Sequence, residues 1–183
     1  MRQFLKVGSG VPTLPILAEM HRAPLLWNAF DVRKVFPGTP HAAMDDIWLR
    51  GRAQADLTSS ASFKEVFTPV FWPAWYALPA VRPLVFALMA QAQAVHLGGI
   101  LITRLPPGQS ILPHVDADSW HARFFNCKLH VTLAGQSLSR CGDEAVTMTQ
   151  GDVWTFPNEI EHSISNPGDD DRIVLIVALR CEP

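Results

Sequence analysis

His114 and Asp116 stand as a His-x-Asp pair at the end of the stretch running from Leu101 to Asp116. In an extended strand, side chains two apart point to the same face, so an imidazole and a carboxylate would be offered to one point in space. A metal ion takes such donors, and His162, 48 residues beyond His114 and just ahead of Asn166-Pro167-Gly168, can supply a third. Asp118 is the other carboxylate to weigh, but its offset of four residues from His114 carries it further along the strand. Two imidazoles and one carboxylate on one face of a divalent metal leave three adjacent positions open to other ligands. Ten residues past His162 stands Arg172, at the head of the apolar run Ile173 to Leu179, and an antiparallel pair turning at Asn166 to Asp170 would bring it near the strand that carries His162. Its planar fork can donate two parallel hydrogen bonds to a distant carboxylate.

Composition bounds the molecule that must position these groups. A chain of 183 residues with 48% hydrophobic content holds one well-buried core and is short for two. The expectation is one domain, with residues 1–97 flanking a core of residues 98–183. A net charge of −2 does not favour wrapping a nucleic-acid backbone. No apolar run approaches the 18 residues of a membrane span, and the N-terminal Met1-Arg2-Gln3-Phe4-Leu5-Lys6 lacks a secretory apolar core. Cys127, Cys141 and Cys181 are odd in number and form no Cys-x-x-Cys pair, which fits free thiols in a reducing cytoplasm.

Patterning then places the elements. Residues 1–10 read as a short strand or lead-in and Thr13 to His21 as a short helix. Leu25 to Phe36 and Asp46 to Gly51 read as two strands flanking the turn cluster Pro37-Gly38-Thr39-Pro40, and residues 52–63 as a loop. The proline-broken aromatic segment Phe67 to Tyr76 reads as irregular, a lid or surface wrap. From Pro79 a helix carries Val81, Leu84, Val85, Leu88, Met89, Ala92 and Val95 at three- and four-residue steps and ends near Gly98-Gly99. From Ile100 onward, short strands are expected at 100–105, 109–116, 125–134, 137–140, 144–149, 152–156, 160–166 and 172–180. This predicts a mainly β, antiparallel double-sheet jelly roll with the N-terminal helices packed outside it. In strand 126–133, Cys127, Leu129, Val131 and Leu133 make an apolar face, while Asn126, Lys128, His130 and Thr132 make a polar one. A polar strand face in so apolar a chain faces water or lines a wet lumen.

The runs Ile102-Thr103-Arg104-Leu105-Pro106-Pro107-Gly108, Pro113-His114-Val115-Asp116 and Lys128-Leu129-His130-Val131-Thr132-Leu133, followed by Gly151, Phe156, His162, Asn166 and Arg172, resemble the aspartyl/asparaginyl β-hydroxylase-like branch of the 2-oxoglutarate/Fe(II) oxygenases. The likeness spans residues 98–180. It implies a cupin-like double-stranded β-helix, Fe(II) on His114, Asp116 and His162, and 2-oxoglutarate held through its distal carboxylate by Arg172. It also implies that Thr103 and an Arg-x-His pair line the co-substrate pocket, the pair falling here on Lys128 and His130. Lysine stands where that branch carries arginine, and the lengthened loop 118–126 leaves Arg123 as the alternative cation. The reaction implied is hydroxylation, with O₂, of an amino-acid side chain in a protein, a peptide or a small molecule.

Outside that set, His21, His41, His96 and His121 have no partner at ligand spacing and read as surface or packing residues. Arg33, His41 and Arg50 flank the N-terminal aromatic segments and are candidates to touch substrate, as is Trp120 in the loop after Asp116. The alternative function is a non-catalytic cupin-like module binding a metal or small ligand. It leaves an inward Arg172 without a purpose. A zinc hydrolase on the same ligands lacks a spare carboxylate as general base. Oligomeric state is left open.

Overall fold

Strands that alternate apolar and polar side chains can bury one face against helices and turn the other toward a lumen, and the chain does this repeatedly. The computed structural model of the protein describes residues 2–35, 38–59, 61–116 and 119–182. Asp118, the carboxylate weighed against Asp116, lies outside the described residues, as do Phe36 at the end of the first expected strand and Pro37 of the turn cluster after it. In chain order the elements are β1 (Leu5–Gly8), α1 (Leu14–Arg22), α2 (Val32–Val35), β2 (Asp45–Gly51), β3 (Val70–Phe71), α3 (Pro73–Ala77), α4 (Val81–Gln91), β4 (Ala94–Leu105), β5 (Ser110–His114), α5 (Trp120–Phe124), β6 (Cys127–Ala134), β7 (Gln136–Cys141), β8 (Glu144–Thr149), β9 (Val153–Thr155), β10 (His162–Ser165) and β11 (Arg172–Cys181).

The strands form a seven-stranded sheet in the order β1-β9-β6-β11-β4-β2-β3 and a four-stranded sheet in the order β5-β10-β7-β8. All pairings are antiparallel. This is the expected jelly roll, a double-stranded β-helix, and each of the eight strands expected after residue 98 is present. The largest apolar cluster lies outside the barrel. There Ile47, Leu49, Ile100, Ile102, Leu129, Val131, Leu133, Leu175, Val177 and Leu179 of the large sheet meet Ile16 and Met20 of α1, Trp75 of α3, and Val81, Val85 and Leu88 of α4. Alternation leaves the opposite face of the same strands to line the lumen.

Four expectations need correction. Of the expected strand Leu25 to Phe36, the described residues 25–35 form none: Pro24–Leu26 is a 3₁₀ turn, Asn28 is left-handed at φ 53°, and α2 follows. The segment is folded down by ion pairs instead, Arg33 to Asp46 at 2.9 Å and Lys34 to Asp45 at 2.8 Å. The helix expected from Pro79, α4, ends at Gln91 rather than near Gly98, because Gln93 at φ 52° reverses the chain and Val95 already belongs to β4. Gly98 and Gly99 therefore lie within a strand, beneath α5, where a Cβ would stand 2.7 Å from Phe125 and 3.1 Å from His121. Residues 120–124 of the expected loop form α5, capped by the Ser119 hydroxyl, which accepts the Ala122 N–H at 3.0 Å. Finally, β10 and β11 are not a hairpin, since β10 pairs with β5 and β7 while β11 pairs with β4 and β6. The turn from His162 to Arg172 crosses between sheets. Asn166 holds it by donating to the carbonyls of Leu105 at 2.9 Å and Asp170 at 2.8 Å, and by accepting the Gly168 N–H at 3.1 Å.

Candidate active site

The His-x-Asp pair reaches the lumen by way of a bulge. On the β5–β10 ladder Ser110 faces Ser165, Ile111 faces Ile164 and His114 faces His162, so β5 carries one residue more than β10 between the last two pairs. Strict alternation would send Ile111 and His114 to opposite faces; the extra residue, at Leu112-Pro113, brings both to the cavity. Proline is tolerated there because a bulged position need not donate to the ladder. β5 ends at His114, and Asp116 is fixed beyond it by its N–H, which donates to the Asn158 carbonyl at 2.9 Å.

His114, Asp116 and His162 then meet: one ligand atom from each lies within 4.8 Å of the others. The imidazoles are centred 4.3 Å apart. Nδ1 of His114 lies 2.8 Å from the Leu112 carbonyl and Nδ1 of His162 lies 2.9 Å from the Ile160 carbonyl. A carbonyl only accepts, so each Nδ1 carries the proton and each Nε2 keeps a lone pair, the tautomer a metal ligand needs. Burial pushes His162 toward its neutral form. Burial would raise the Asp116 carboxyl, but the Lys128 ammonium, 2.6 Å away, holds it well below the usual carboxylate range. Two imidazoles and one ionised carboxylate are a donor set suited to a divalent first-row metal such as Fe(II).

A second group of polar side chains lies along the same cavity. Arg172 is 1% exposed, and no carboxylate pairs with it among the described residues. The hydrogen bond from its Nη1 to the Thr103 hydroxyl is long at 3.4 Å, and its Nε and Nη2 are buried without a partner among the described residues. Burial pushes this guanidinium down to about 10. His130 also has both ring nitrogens buried and unpartnered, its ring stacked on Phe156 at 4.6 Å. Burial, then the charges of Lys128 and Arg172, keep it neutral. A buried cation without a counter-ion is costly, and an anion brought beside it would offset that cost.

The cavity of about 240 Å³ is lined at once by the His114, Asp116, His162 group and by Lys128, His130 and Arg172. Thr103, buried beside Arg172, completes the set expected from sequence. Arg123 is exposed in the last turn of α5 and lines a separate depression behind Asp116. Of the substrate candidates, Arg33 and His41 line the main cavity, whereas Arg50 turns away to donate to the Leu97 carbonyl. His41 packs edge-on against His114 at 4.9 Å, and burial pushes it down to about 2, so it stays a neutral imidazole. His121 is a packing residue, as expected, but also a cavity wall; its Nε2 accepts the Gly99 N–H at 2.9 Å and its ring stacks on Phe67. From the aromatic segment 67–76 it is Phe67 that reaches the cavity, and Trp120 packs behind it. Sequence reasoning missed Trp48, Arg52 and Asn158 as lining residues. The Asn158 side-chain oxygen is buried without a partner, and no motif marks it.

The aspartyl/asparaginyl beta-hydroxylase family matches residues 76–181, and the chain belongs to that family. The match begins well before residue 98, so α4 and the end of α3 belong to it as well. An oxidoreductase of the 2OG-Fe(II) oxygenase family from Burkholderia pseudomallei superposes with a TM-score of 0.53 at 12% identity, covering 75% of this chain and 67% of that one. A predicted oxalate decarboxylase from Thermotoga maritima gives 0.38 at 24% identity, covering 46% and 68%. A conserved Streptococcus pyogenes protein of unknown function gives 0.36 at 20% identity, covering 46% and 66%, so the chain spans about two thirds of the length of such relatives. No curated protein matches the chain. No helix among the described residues is long and apolar enough to cross a membrane.

Proposed function

We propose that the protein is an Fe(II)- and 2-oxoglutarate-dependent dioxygenase that hydroxylates an amino-acid side chain, presented in a protein, a peptide or a small molecule. The observation that carries this reading is Arg172, a buried guanidinium lacking a carboxylate partner, in one cavity with His114, Asp116 and His162. A module that only held metal would bear the cost of that buried charge with nothing gained. In the proposed reaction one atom of O₂ becomes the hydroxyl of a substrate C–H carbon, and the other enters succinate as 2-oxoglutarate loses CO₂. Bound iron would supply the activation of O₂.

The chain's own residues supply the rest. His114, Asp116 and His162 would hold the metal, their tautomers and charge already set by Leu112, Ile160 and Lys128. Arg172, with Thr103, would take the distal carboxylate, and Lys128 and His130 would line the rest of the co-substrate's path. The apolar walls, among them Trp48, Phe67, Leu101 and Ile111, exclude water and strengthen these charge contacts. Anaerobic titration of the iron(II) protein with 2-oxoglutarate is expected to raise a weak visible charge-transfer band. His162→Ala should lose it. Retention of both the band and full 2-oxoglutarate turnover by that variant would sink the assignment.

A further inference from the structure

The helix α4 is apolar on two opposite sides. Val81, Val85 and Leu88 turn inward against the large sheet, while Pro83, Phe86, Ala87 and Ala90, spaced as one stripe along the far side, are exposed. A surface helix ordinarily turns charged side chains to water there, and a helix apolar all round belongs in an interior. Residues 66–95 nevertheless hold a single charged side chain, Arg82. Among the described residues, none covers the stripe.

The stripe continues onto its neighbours. Phe86 meets Trp75 of α3 edge-on at 6.1 Å, and Phe71 of β3 stacks on the same indole at 4.5 Å. Arg82 lies over the rings of Trp75 and Tyr76, at 5.8 and 5.7 Å. Phe71, Tyr76 and Phe86 are 36%, 64% and 52% exposed, so with the stripe they form one open patch. Its apolar area is roughly 500 Å², the size of the largest patch a monomer leaves open, and doubled by symmetry it reaches about the 1,000 Å² at which a specific interface begins.

We propose that this face joins two copies of the chain in a two-fold dimer, the α4 helices crossing antiparallel at Phe86 with Phe71 and Tyr76 at the flanks. The patch is complementary to itself. Phe86 is the central residue of Val81–Gln91, so a two-fold axis beside it sets Arg82 of each copy opposite Ala90 of the other. The small side chains of Ala87 and Ala90 let the two helices approach closely around the phenylalanine rings. Arg82 stands in the first turn of α4, where a cation opposes its own helix's dipole; beside the last turn of an antiparallel copy the same cation is favoured. The two guanidiniums then stand about 12 Å apart along the helix axis, beyond the screening length of roughly 8 Å in physiological salt. An interface at the lower bound of the specific ones sets a dissociation constant on the order of micromolar. The dimer stands whatever chemistry the cavity performs.

The test is sedimentation velocity over about 1–200 μM, a range that brackets micromolar self-association, with melting curves to show that each protein is folded. Wild type should shift from one chain mass to two as concentration rises. Phe86→Glu and Ala87→Glu should each weaken the dimer at least about tenfold, since they set like charges together at the crossing. Ala87→Glu leaves the aromatic contacts in place and guards against misfolding of the other variant. Leu5→Glu, an exposed position on β1 at the opposite edge of the large sheet, should dimerise as wild type does. Position 90 meets Arg82 of the other copy, so Ala90→Lys should dimerise more weakly than Ala90→Glu; equal strength or the reverse order overturns the antiparallel crossing. A folded wild type that stays monomeric throughout overturns the dimer, and one that dimerises equally with both glutamates at the crossing overturns this face as its seat. Wild type that is monomeric but co-sediments with phosphatidylcholine/phosphatidylglycerol vesicles, and ceases to in Phe86→Glu, would assign the face to a lipid surface and overturn the dimer as well.

Discussion

The ring of Phe125 crosses the backbone of Gly98 so closely that a Cβ there would stand 2.7 Å from Phe125 Cδ1 and 3.0 Å from the Ala178 carbonyl oxygen. Neither can retreat, because Phe125 is buried against Trp120, His121 and Phe124, and Ala178 belongs to a strand paired on both sides. Gly98→Ala is expected to cost about 1–3 kcal/mol, as overpacking of a filled core does. A lowered urea midpoint at unchanged slope would register it.

Arg172→Met should separate stability from binding. Removing a buried cation that has no counter-ion is expected to leave the ligand-free protein as stable as wild type or more so. The same variant should lose roughly 2–5 kcal/mol of 2-oxoglutarate binding, on the order of 30-fold to several thousand-fold in affinity. Melting curves with Mn(II), with and without 2-oxoglutarate, read both effects at once; a ligand-induced shift equal to that of wild type would rule out Arg172 as the anchor.

His121 gives a signed dependence on pH. Burial pushes it down to about 4, while in the unfolded chain it titrates near 6.5. The unfolded state therefore takes the proton first, and the stability attached to the neutral ring is complete above about pH 6.5 and drains away as pH falls toward about 4. Protonation would also cancel the Nε2 acceptor that receives the Gly99 N–H. Unfolding measured across this window should fall less steeply for His121→Gln than for wild type. Parallel curves would mean that other groups carry the acid response.

Asn166→Asp tests the crossing between the sheets. Its side-chain amide donates to two carbonyls, those of Leu105 and Asp170, and is 1% exposed. A carboxylate of the same shape would face two acceptors with no proton to give, at a cost of about 1–3 kcal/mol or more. Because the turn links His162 to Arg172, 2-oxoglutarate affinity should fall along with the melting temperature. A loss of stability with affinity intact would show that the turn supports the fold without setting the site.

The parts of the fold legible in the sequence are those where local pattern and tertiary outcome agree. The strands after Gly99 alternate cleanly and are cut by glycine turns, so their number and order could be read, along with the inward face of Lys128 and His130. Leu25 to Phe36 misled because its apolar residues alternate like a strand, while Asn28 in the left-handed region and the ion pairs of Arg33 and Lys34 fold it otherwise. Gly98-Gly99 reads as a helix stop; its real cause, the approach of Phe125 and His121, involves residues far along the chain. The bulge at Leu112-Pro113 was equally hidden, since register is a property of two strands. His114, Asp116, His162 and Arg172 stood out because their chemistry is unusual for strand residues. Trp48 and Asn158 join the cavity wall only through the fold, and nothing in their local sequence marks them.

The placement of the main apolar cluster on the outer face of the large sheet has a consequence for how this protein can change. Leu129, Val131 and Leu133 of β6 hold the helices, while Lys128 and His130 look into the cavity from the alternate positions. Architecture and chemistry are thus written on alternate letters of one strand. A lineage, or a mutant library, can rewrite the even-numbered letters to retune the cavity's chemistry while the odd-numbered ones keep the barrel closed.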